Sequence, residues 1–249
     1  MKAKGVKGAF IKWRDSRAHQ PRSADYGIQV LKRLLSWALY HELIDKNPAA
    51  DIETLDRCNR ADQIVDDEEL AAVLSYLTPH AQLAIRLLAA TGMRRGDLAG
   101  LRWDHLKLDV LHFPTRKSNG ITWANVPLVA DARAVIAELE ITRKALLAAN
   151  RLPSTYLLTS HLGTPWSPDG LSQAFIRAAK AAGVKKRLND LRGTAATRFV
   201  MANQPDERVA DIMGWEPSRV RAIKKRYVDD ARVMRSVADQ IDAQVGQLA

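Results

Sequence analysis

Arginine, lysine and aromatic residues recur in four short segments where local patterns predict a constrained backbone. In the first segment, Arg94 follows Gly92 at the junction between an apolar helical pattern and a second, shorter one. A guanidinium fixed at such a junction presents a planar fork of N–H donors that matches the oxygens of a phosphate. The pattern therefore favours phosphate binding, and Asp97, three residues later, is expected to pair with or orient a neighbouring basic group.

The other three segments lie further along the chain. Lys117 lies in a Ser-Asn-Gly turn segment, Arg192 follows Asn189 in the pattern Asn-Asp-Leu-Arg, and Gly-Trp215 precedes a basic run that ends at Tyr227. Each residue alone has an ordinary alternative: a surface charge, a solvated turn, a helix cap or a core aromatic. Their joint occurrence in this order outweighs these separate alternatives.

Several other kinds of chemistry lack their usual patterns. The six histidines are scattered, and no phosphate-binding Gly-rich loop, dinucleotide fingerprint or Gly-x-Ser-x-Gly elbow occurs. Cys58 is the single cysteine, which excludes an internal disulfide, and we interpret it as an inert thiol. We predict no metal and no cofactor.

The charge is unevenly distributed along the chain. The net charge is +10, with seven bases and one acid over residues 1–22 and fifteen bases and seven acids over residues 177–235. Residues 45–70 reverse the sign, with nine acids and three bases. This arrangement predicts an acidic linker between two basic lobes that face a polyanion such as nucleic acid.

Hydrophobic periodicity predicts a mainly α-helical protein with a small antiparallel β-sheet. Asp66 and Glu69 form a capping-box pattern at the start of one helix, and Asn119-Gly120 is a hairpin turn signal between two strand-like segments. The strand-like segments are residues 106–113 and 121–126, which favours a hairpin or a three-stranded sheet. Helices are predicted over residues 26–43, 70–77, 81–90, 95–101, 131–150, 167–182, 190–202, 205–213, 218–226 and 231–243.

In this order, the four segments resemble the tyrosine recombinase, or phage integrase, family. The resemblance covers residues from about 60 to about 230, and the segment with Leu35-Ser36-Trp37-Ala38 and Asn47-Pro48-Ala49 resembles the end of the family's helical core-binding domain. It implies two domains, a shortened core-binding domain over residues 1–58 with its linker and a catalytic domain over residues 59–249.

The resemblance also implies a mechanism, site-specific cleavage and rejoining of DNA through a 3′-phosphotyrosyl intermediate. Tyr227 matches the nucleophile, Arg94 and Arg192 match the phosphate clamp, Lys117 matches the general acid, and Trp215 matches a donor to the phosphate. The implied partners are double-stranded DNA and sister protomers in a synaptic tetramer. The implied location is the cytoplasm, at the nucleoid, and no apolar segment is long enough to predict a membrane span or a signal peptide.

Two departures from the family pattern leave alternatives open. Asn189 stands where the family usually has histidine, and an amide cannot act as a proton base. The spacing from Trp215 to Tyr227 exceeds the common one, and residues 216–219 are expected to absorb the difference. A DNA-binding remnant that no longer recombines, or a repressor that never cleaves, therefore remains an alternative. The tail after Tyr227 is expected to dock either on a neighbouring subunit or on its own domain.

Overall fold

The computed structural model describes residues 5–56, 61, 63–216, 218 and 220–246, with side chains described as far as residue 243. Cys58 and positions 217 and 219 of the predicted spacer lie outside the described residues. The chain divides into two compact units, residues 1–59 and 60–249. Among the described residues, no helix is both long and apolar enough to cross a bilayer.

The first unit consists of two helices and an irregular segment that returns along them. Helix α1 is Val6–Asp15 and helix α2 is Pro21–Tyr40. A small core of Ile28, Ala49 and Ile52 joins α2 to the returning segment. The buried Asp25 carboxylate accepts hydrogen bonds from the backbone N–H groups of Leu55 and Asp56, which fixes that segment to α2.

The second unit is built around two buried helices, α4 and α8, that pack against each other. Most of α4 is buried, as the apolar run over residues 81–90 predicts, and it also packs on α6 and α7. The helices of this unit are α3 (Asp67–Ser75), α4 (Pro79–Thr91), α5 (Arg95–Ala99), α6 (Ala130–Ala148), α7 (Pro168–Ala181), α8 (Asp190–Met201), α9 (Asp206–Met213), α10 (Val220–Tyr227) and α11 (Asp230–Gly246).

A three-stranded antiparallel sheet with the order β1-β2-β3 lies between α5 and α6 in the chain. Its strands are β1 (Leu106–Lys107), β2 (Val110–Pro114) and β3 (Trp123–Pro127). The predicted strand over residues 106–113 is broken by a turn at Leu108 and Asp109, both with positive φ. Alternation along β2 and β3 buries one face of the sheet against the core, as period-two patterning requires.

The β2–β3 connection runs over residues 115–122 and contains the predicted turn residues Asn119-Gly120. A short 3₁₀ turn, Arg116–Ser118, precedes these two residues, and both of them have positive φ. The Ser118 hydroxyl accepts a hydrogen bond from the Thr122 N–H and donates to the Thr115 carbonyl, so side-chain bonding closes a wider loop. The predicted turn at Asn119-Gly120 and the predicted three-stranded sheet are therefore confirmed.

Local helix signals near the ends of the second unit correspond to real contacts. Asp66 and Glu69 form the predicted capping box, with each side chain accepting from the other residue's backbone N–H.

The tail helix α11 packs on α8 of the same chain, where Val233 is buried and Gln240 bonds to Asn203. The structure thus places the tail on its own unit.

Candidate active site

Two arginines from different helices are held by backbone carbonyls at one place in the second unit. Arg94 is the residue before α5, and its Nη2 donates to the Gly214 carbonyl at 2.9 Å. Arg192, only 3% exposed in the first turn of α8, donates through Nη1 to the Gly92 carbonyl at 2.6 Å and through Nη2 to the Met213 carbonyl. These bonds fix both guanidinium groups, which is what a rigid phosphate clamp requires.

Glycine is needed at the two helix ends that supply these carbonyls. Gly92 ends α4 and Gly214 ends α9, both in the left-handed region with φ of 63° and 57°. A Cβ on Gly92 would lie 2.7 Å from the Ala195 Cβ, and one on Gly214 would lie 3.3 Å from Nη1 of Arg94. The bare backbone therefore lets the two helix ends approach the arginines.

Two aromatic rings complete this cluster. The Trp215 and Tyr227 ring centres are 5.7 Å apart, and the Arg192 Cζ lies 6.0 Å from the first and 5.9 Å from the second. Trp215 is 7% exposed, and its buried indole N–H has no hydrogen-bond partner among the described residues. Because an unsatisfied buried donor is costly, this N–H is a feature that a bound acceptor such as a phosphate oxygen would satisfy.

The electrostatics of the cluster favour an anion. The pKa of Arg192 is lowered to about 10, first by burial and then by the positive charge of Arg94, while Tyr227 and Asp97 act in the opposite direction. The lowered pKa of Arg192 indicates that the protein itself does not fully compensate the positive charge of this guanidinium beside Arg94. A bound phosphate would supply the missing negative charge.

Asp97 connects this cluster to the β2–β3 loop. Its buried carboxylate lies 3.8 Å from Nη1 of Arg94 and accepts a 2.8 Å hydrogen bond from the Arg116 N–H. The expected pairing with a basic neighbour is confirmed, and the bond to the loop is an addition that the sequence did not predict. One carboxylate thus orients the arginine and holds the loop that carries Lys117.

The structure does not bring Lys117 and Asn189 into the same network. Lys117 is exposed on the 3₁₀ turn, and no hydrogen bond or ion pair joins its side chain to a described residue. Asn189 is also exposed, at the position before α8, and its side chain makes no capping hydrogen bond. Asn189 therefore occupies the N-cap position that the sequence allowed, but without a side-chain bond to the helix.

Four of the six predicted residues thus converge, namely Arg94, Arg192, Trp215 and Tyr227. Sequence reasoning missed the partners of Arg192, the carbonyls of Gly92 and Met213, which lie 100 and 21 residues away from it. It also missed Gly193, where a Cβ would lie 2.9 Å from the Tyr227 carbonyl oxygen. A glycine inside a helical pattern was the available signal, because such a glycine often marks a close approach.

The helical unit with its small sheet thus holds two fixed arginines beside a buried indole N–H and a phenol. The model of the phage integrase family matches residues 63–232. This chain belongs to the phage integrase family.

Curated relatives and solved structures agree with this membership. The integrase of Mycobacterium phage L5 is 26% identical over 234 residues, which cover 88% of this chain and 62% of the relative. The integrase of Mycobacterium phage D29 is 24% identical over 237 residues, with the same two coverages. The chain thus spans about three fifths of the length of these two relatives.

The fold is shared with integrases solved on DNA. A lambda integrase dimer bound to a COC′ core site matches with a TM-score of 0.67 and 18% identity, over 89% of this chain and 64% of the other. The Tn1549 transposon integrase in complex with circular intermediate DNA matches with a TM-score of 0.64 and 16% identity, over 92% and 81%. These matches confirm the predicted fold class, mainly α with a small antiparallel sheet.

Proposed function

We propose that this protein cleaves and rejoins DNA strands as a site-specific recombinase, through a 3′-phosphotyrosyl intermediate. The observation that carries the proposal is the convergence of the Tyr227 ring, the Arg192 guanidinium and the Trp215 ring, whose centres and guanidinium carbon lie within about 6 Å of each other. The buried Trp215 N–H has no partner among the described residues. A donor-rich, fixed site next to a phenol has the composition that transesterification of a phosphodiester requires.

Each group has a defined part in the proposed reaction. The Tyr227 oxygen attacks phosphorus, the new phosphotyrosyl bond forms, and the bond from phosphorus to the 5′ oxygen breaks. Arg94, Arg192 and the Trp215 N–H bind the non-bridging oxygens, on which negative charge grows in the transition state. Lys117 protonates the departing 5′ oxygen, and attack by a 5′ hydroxyl reverses these steps to rejoin a strand.

Two of these roles require the DNA to complete the site. Lys117 is exposed on a loop that Asp97 holds through the Arg116 N–H, so its ammonium is free to reach a phosphodiester bound at the arginines. Asn189 supplies no proton base, and in our proposal the Tyr227 proton passes to water while the surrounding cations stabilise the phenolate. This predicts activity that is weaker than with a histidine at position 189.

The proposal assigns a task to each unit. Residues 60–249 hold all of the site residues and form the catalytic domain, and residues 1–59 form a partial core-binding domain for duplex DNA. Sister protomers would assemble on this DNA, which would place the protein at the nucleoid. A lambda integrase tetramer bound to a Holliday junction, with a TM-score of 0.67, supports an assembly of this kind.

Covalent trapping on nicked DNA tests the proposal directly. Fragments of the replicon that carries the gene, lightly nicked, serve as the probe, because a nick near the cleaved bond lets the leaving strand diffuse away and prevents rejoining. We expect a denaturation-resistant DNA adduct with wild-type protein and none with Tyr227→Phe, which retains the ring. DNA binding without any adduct would identify a remnant or a repressor instead.

A further inference from the structure

The chain leaves the site through a short, closely held connection. Tyr227 is the last residue of α10, and α11 begins at Asp230, so only two residues separate the helices. The first of them, Val228, is buried and donates its N–H to the Lys224 carbonyl. The contacts of the second, Asp229, therefore help to hold the end of the helix that carries Tyr227.

Helix α8 fixes that second residue through a buried hydroxyl. Thr197 is 1% exposed, and its Oγ1 accepts a 3.0 Å hydrogen bond from the Asp229 N–H. The Asp229 carboxylate in turn accepts from the Arg232 N–H in the first turn of α11. The amide two residues after the tyrosine is thus attached to the same helix that carries Arg192.

The same helix also receives the tyrosine backbone. Gly193, one turn before Thr197, lets the Tyr227 carbonyl come so close that an added Cβ would meet its oxygen at 2.9 Å. Arg192 lies 5.9 Å from the centre of the Tyr227 ring. Along one side, α8 therefore contacts the ring, the carbonyl and the chain just beyond residue 227.

We propose that Thr197 is a positioning residue for the Tyr227 nucleophile, and that its hydroxyl aligns the phenol with the phosphate held by Arg192. This inference rests on the proposed role of Tyr227. Thr197 does not touch the reacting atoms, and it acts through the Asp229 amide.

A second threonine on α8 provides a matched control. Thr194 is 4% exposed, and its Oγ1 accepts a 2.8 Å hydrogen bond from the Val65 N–H. Replacing either threonine with valine keeps the shape and removes a buried acceptor. The Thr194 hydroxyl also lies 3.3 Å from the Val65 and Asp190 carbonyls as a donor, so Thr194→Val should cost at least as much stability as Thr197→Val. Only the bond at Thr197 lies next to the nucleophile.

The experiment compares Thr197→Val, Thr197→Ser and Thr194→Val with the wild-type full chain on nicked duplex DNA captured by the wild type. With DNA at saturation, we expect Thr197→Val to form the adduct about 10- to 100-fold more slowly, because small misplacements of a reacting group have effects of this size. DNA affinity should be unchanged. Thr197→Ser should restore most of the rate, and Thr194→Val should match the wild type once rates are corrected for the folded fraction.

Specific outcomes would overturn the inference. A wild-type rate in Thr197→Val, or the same slowing in Thr194→Val, removes the positioning role and leaves the proposed function intact. Absence of any Tyr227-dependent adduct in the wild type overturns the proposed function together with this inference. If Thr197→Val does not fold, amide exchange at Asp229 decides: protection in the wild type and in Thr197→Ser supports the bond, and rapid exchange in the wild type contradicts it.

Discussion

At the scale of single residues, the site consists of donors that the protein fixes without satisfying all of them. Arg94 and Arg192 direct some N–H groups to backbone carbonyls, and the Trp215 N–H has no partner among the described residues. Fixing a donor in advance removes the cost of orienting it when charge develops. The buried indole is therefore the residue at which donation can be tested with the least disturbance.

Trp215→Phe removes this donor and retains an aromatic ring beside Tyr227. We expect adduct formation on saturating nicked DNA to slow by about 10²-fold, the usual effect of losing one fixed donor to an anionic transition state. Trp166→Phe is the matched control, because Trp166 also has a buried indole N–H without a partner but lies at the start of α7. Equal slowing in both variants would contradict the role of Trp215.

The lowered pKa of Arg192 predicts how the stabilisation of the protein by a bound anion should depend on pH. Below pH 10 the buried guanidinium is charged and its burial opposes folding, whereas above about pH 10 it loses its proton and this cost declines. An oxyanion at the site should therefore stabilise the protein at pH 7 to 9 and lose this effect above about pH 10. At a hundredfold excess over its dissociation constant, the stabilisation should reach about 2.7 kcal/mol.

Thermal unfolding in sulfate and in chloride at equal ionic strength measures this effect. Because sulfate also stabilises proteins in general, the comparison needs Arg94→Gln, which removes one of the two positive charges at the site. Binding at the site is measured as the difference between the wild type and Arg94→Gln in the rise in Tm that sulfate causes. Identical rises in both proteins would show that the two arginines do not form an anion site.

At the scale of secondary structure elements, local signals predicted the helices better than the contacts between them. The capping box at Asp66 and the buried run of α4 follow from residues a few positions apart, so the sequence was sufficient. The width of the β2–β3 loop depends on Ser118 bonding to Thr115 and Thr122, which competes with a tight Asn-Gly turn. The Arg192 acceptors could not be predicted, because tertiary packing alone brings them together.

Gly193→Ala tests whether the close contact between α8 and the Tyr227 backbone positions the tyrosine. Alanine favours a helix by about 1 kcal/mol over glycine, yet its Cβ would meet the Tyr227 carbonyl oxygen at 2.9 Å. We expect slower adduct formation, by about 10²-fold, with little change in DNA affinity. Gly8→Ala in α1, where an added Cβ meets nothing within 4 Å, should leave the rate unchanged.

At the scale of the whole molecule, both units carry positive charge, but only the second holds the site. Residues 1–59 contain eleven bases and seven acids, and residues 60–249 contain twenty-seven bases and twenty-one acids. The excess is concentrated in residues 1–22, where seven bases and one acid give a larger surplus than that of the whole unit. This distribution favours binding of DNA phosphates by the first unit, separately from the chemistry.

Neutralising two exposed bases of the first unit should therefore change binding and leave the chemistry intact. Each lost phosphate contact reduces the slope of log K against log salt by about 0.9, so Lys12→Gln with Arg22→Gln should reduce it by about 1.8. The rate of adduct formation on saturating DNA should not change, since neither side chain belongs to the site. Fluorescence anisotropy with duplex DNA over a salt series measures the slope.

A double variant in the second unit with the same change in charge serves as the control. It tells whether DNA binds to the first unit in particular or responds only to the net charge of the protein. Lys144→Gln with Arg151→Gln alters exposed bases in or just after α6, where residues 130–151 hold four bases and three acids. With so little net charge there, we expect the slope to remain near the wild-type value. If both double variants lower the slope equally, the first unit has no special part in binding, and net charge alone attracts the DNA.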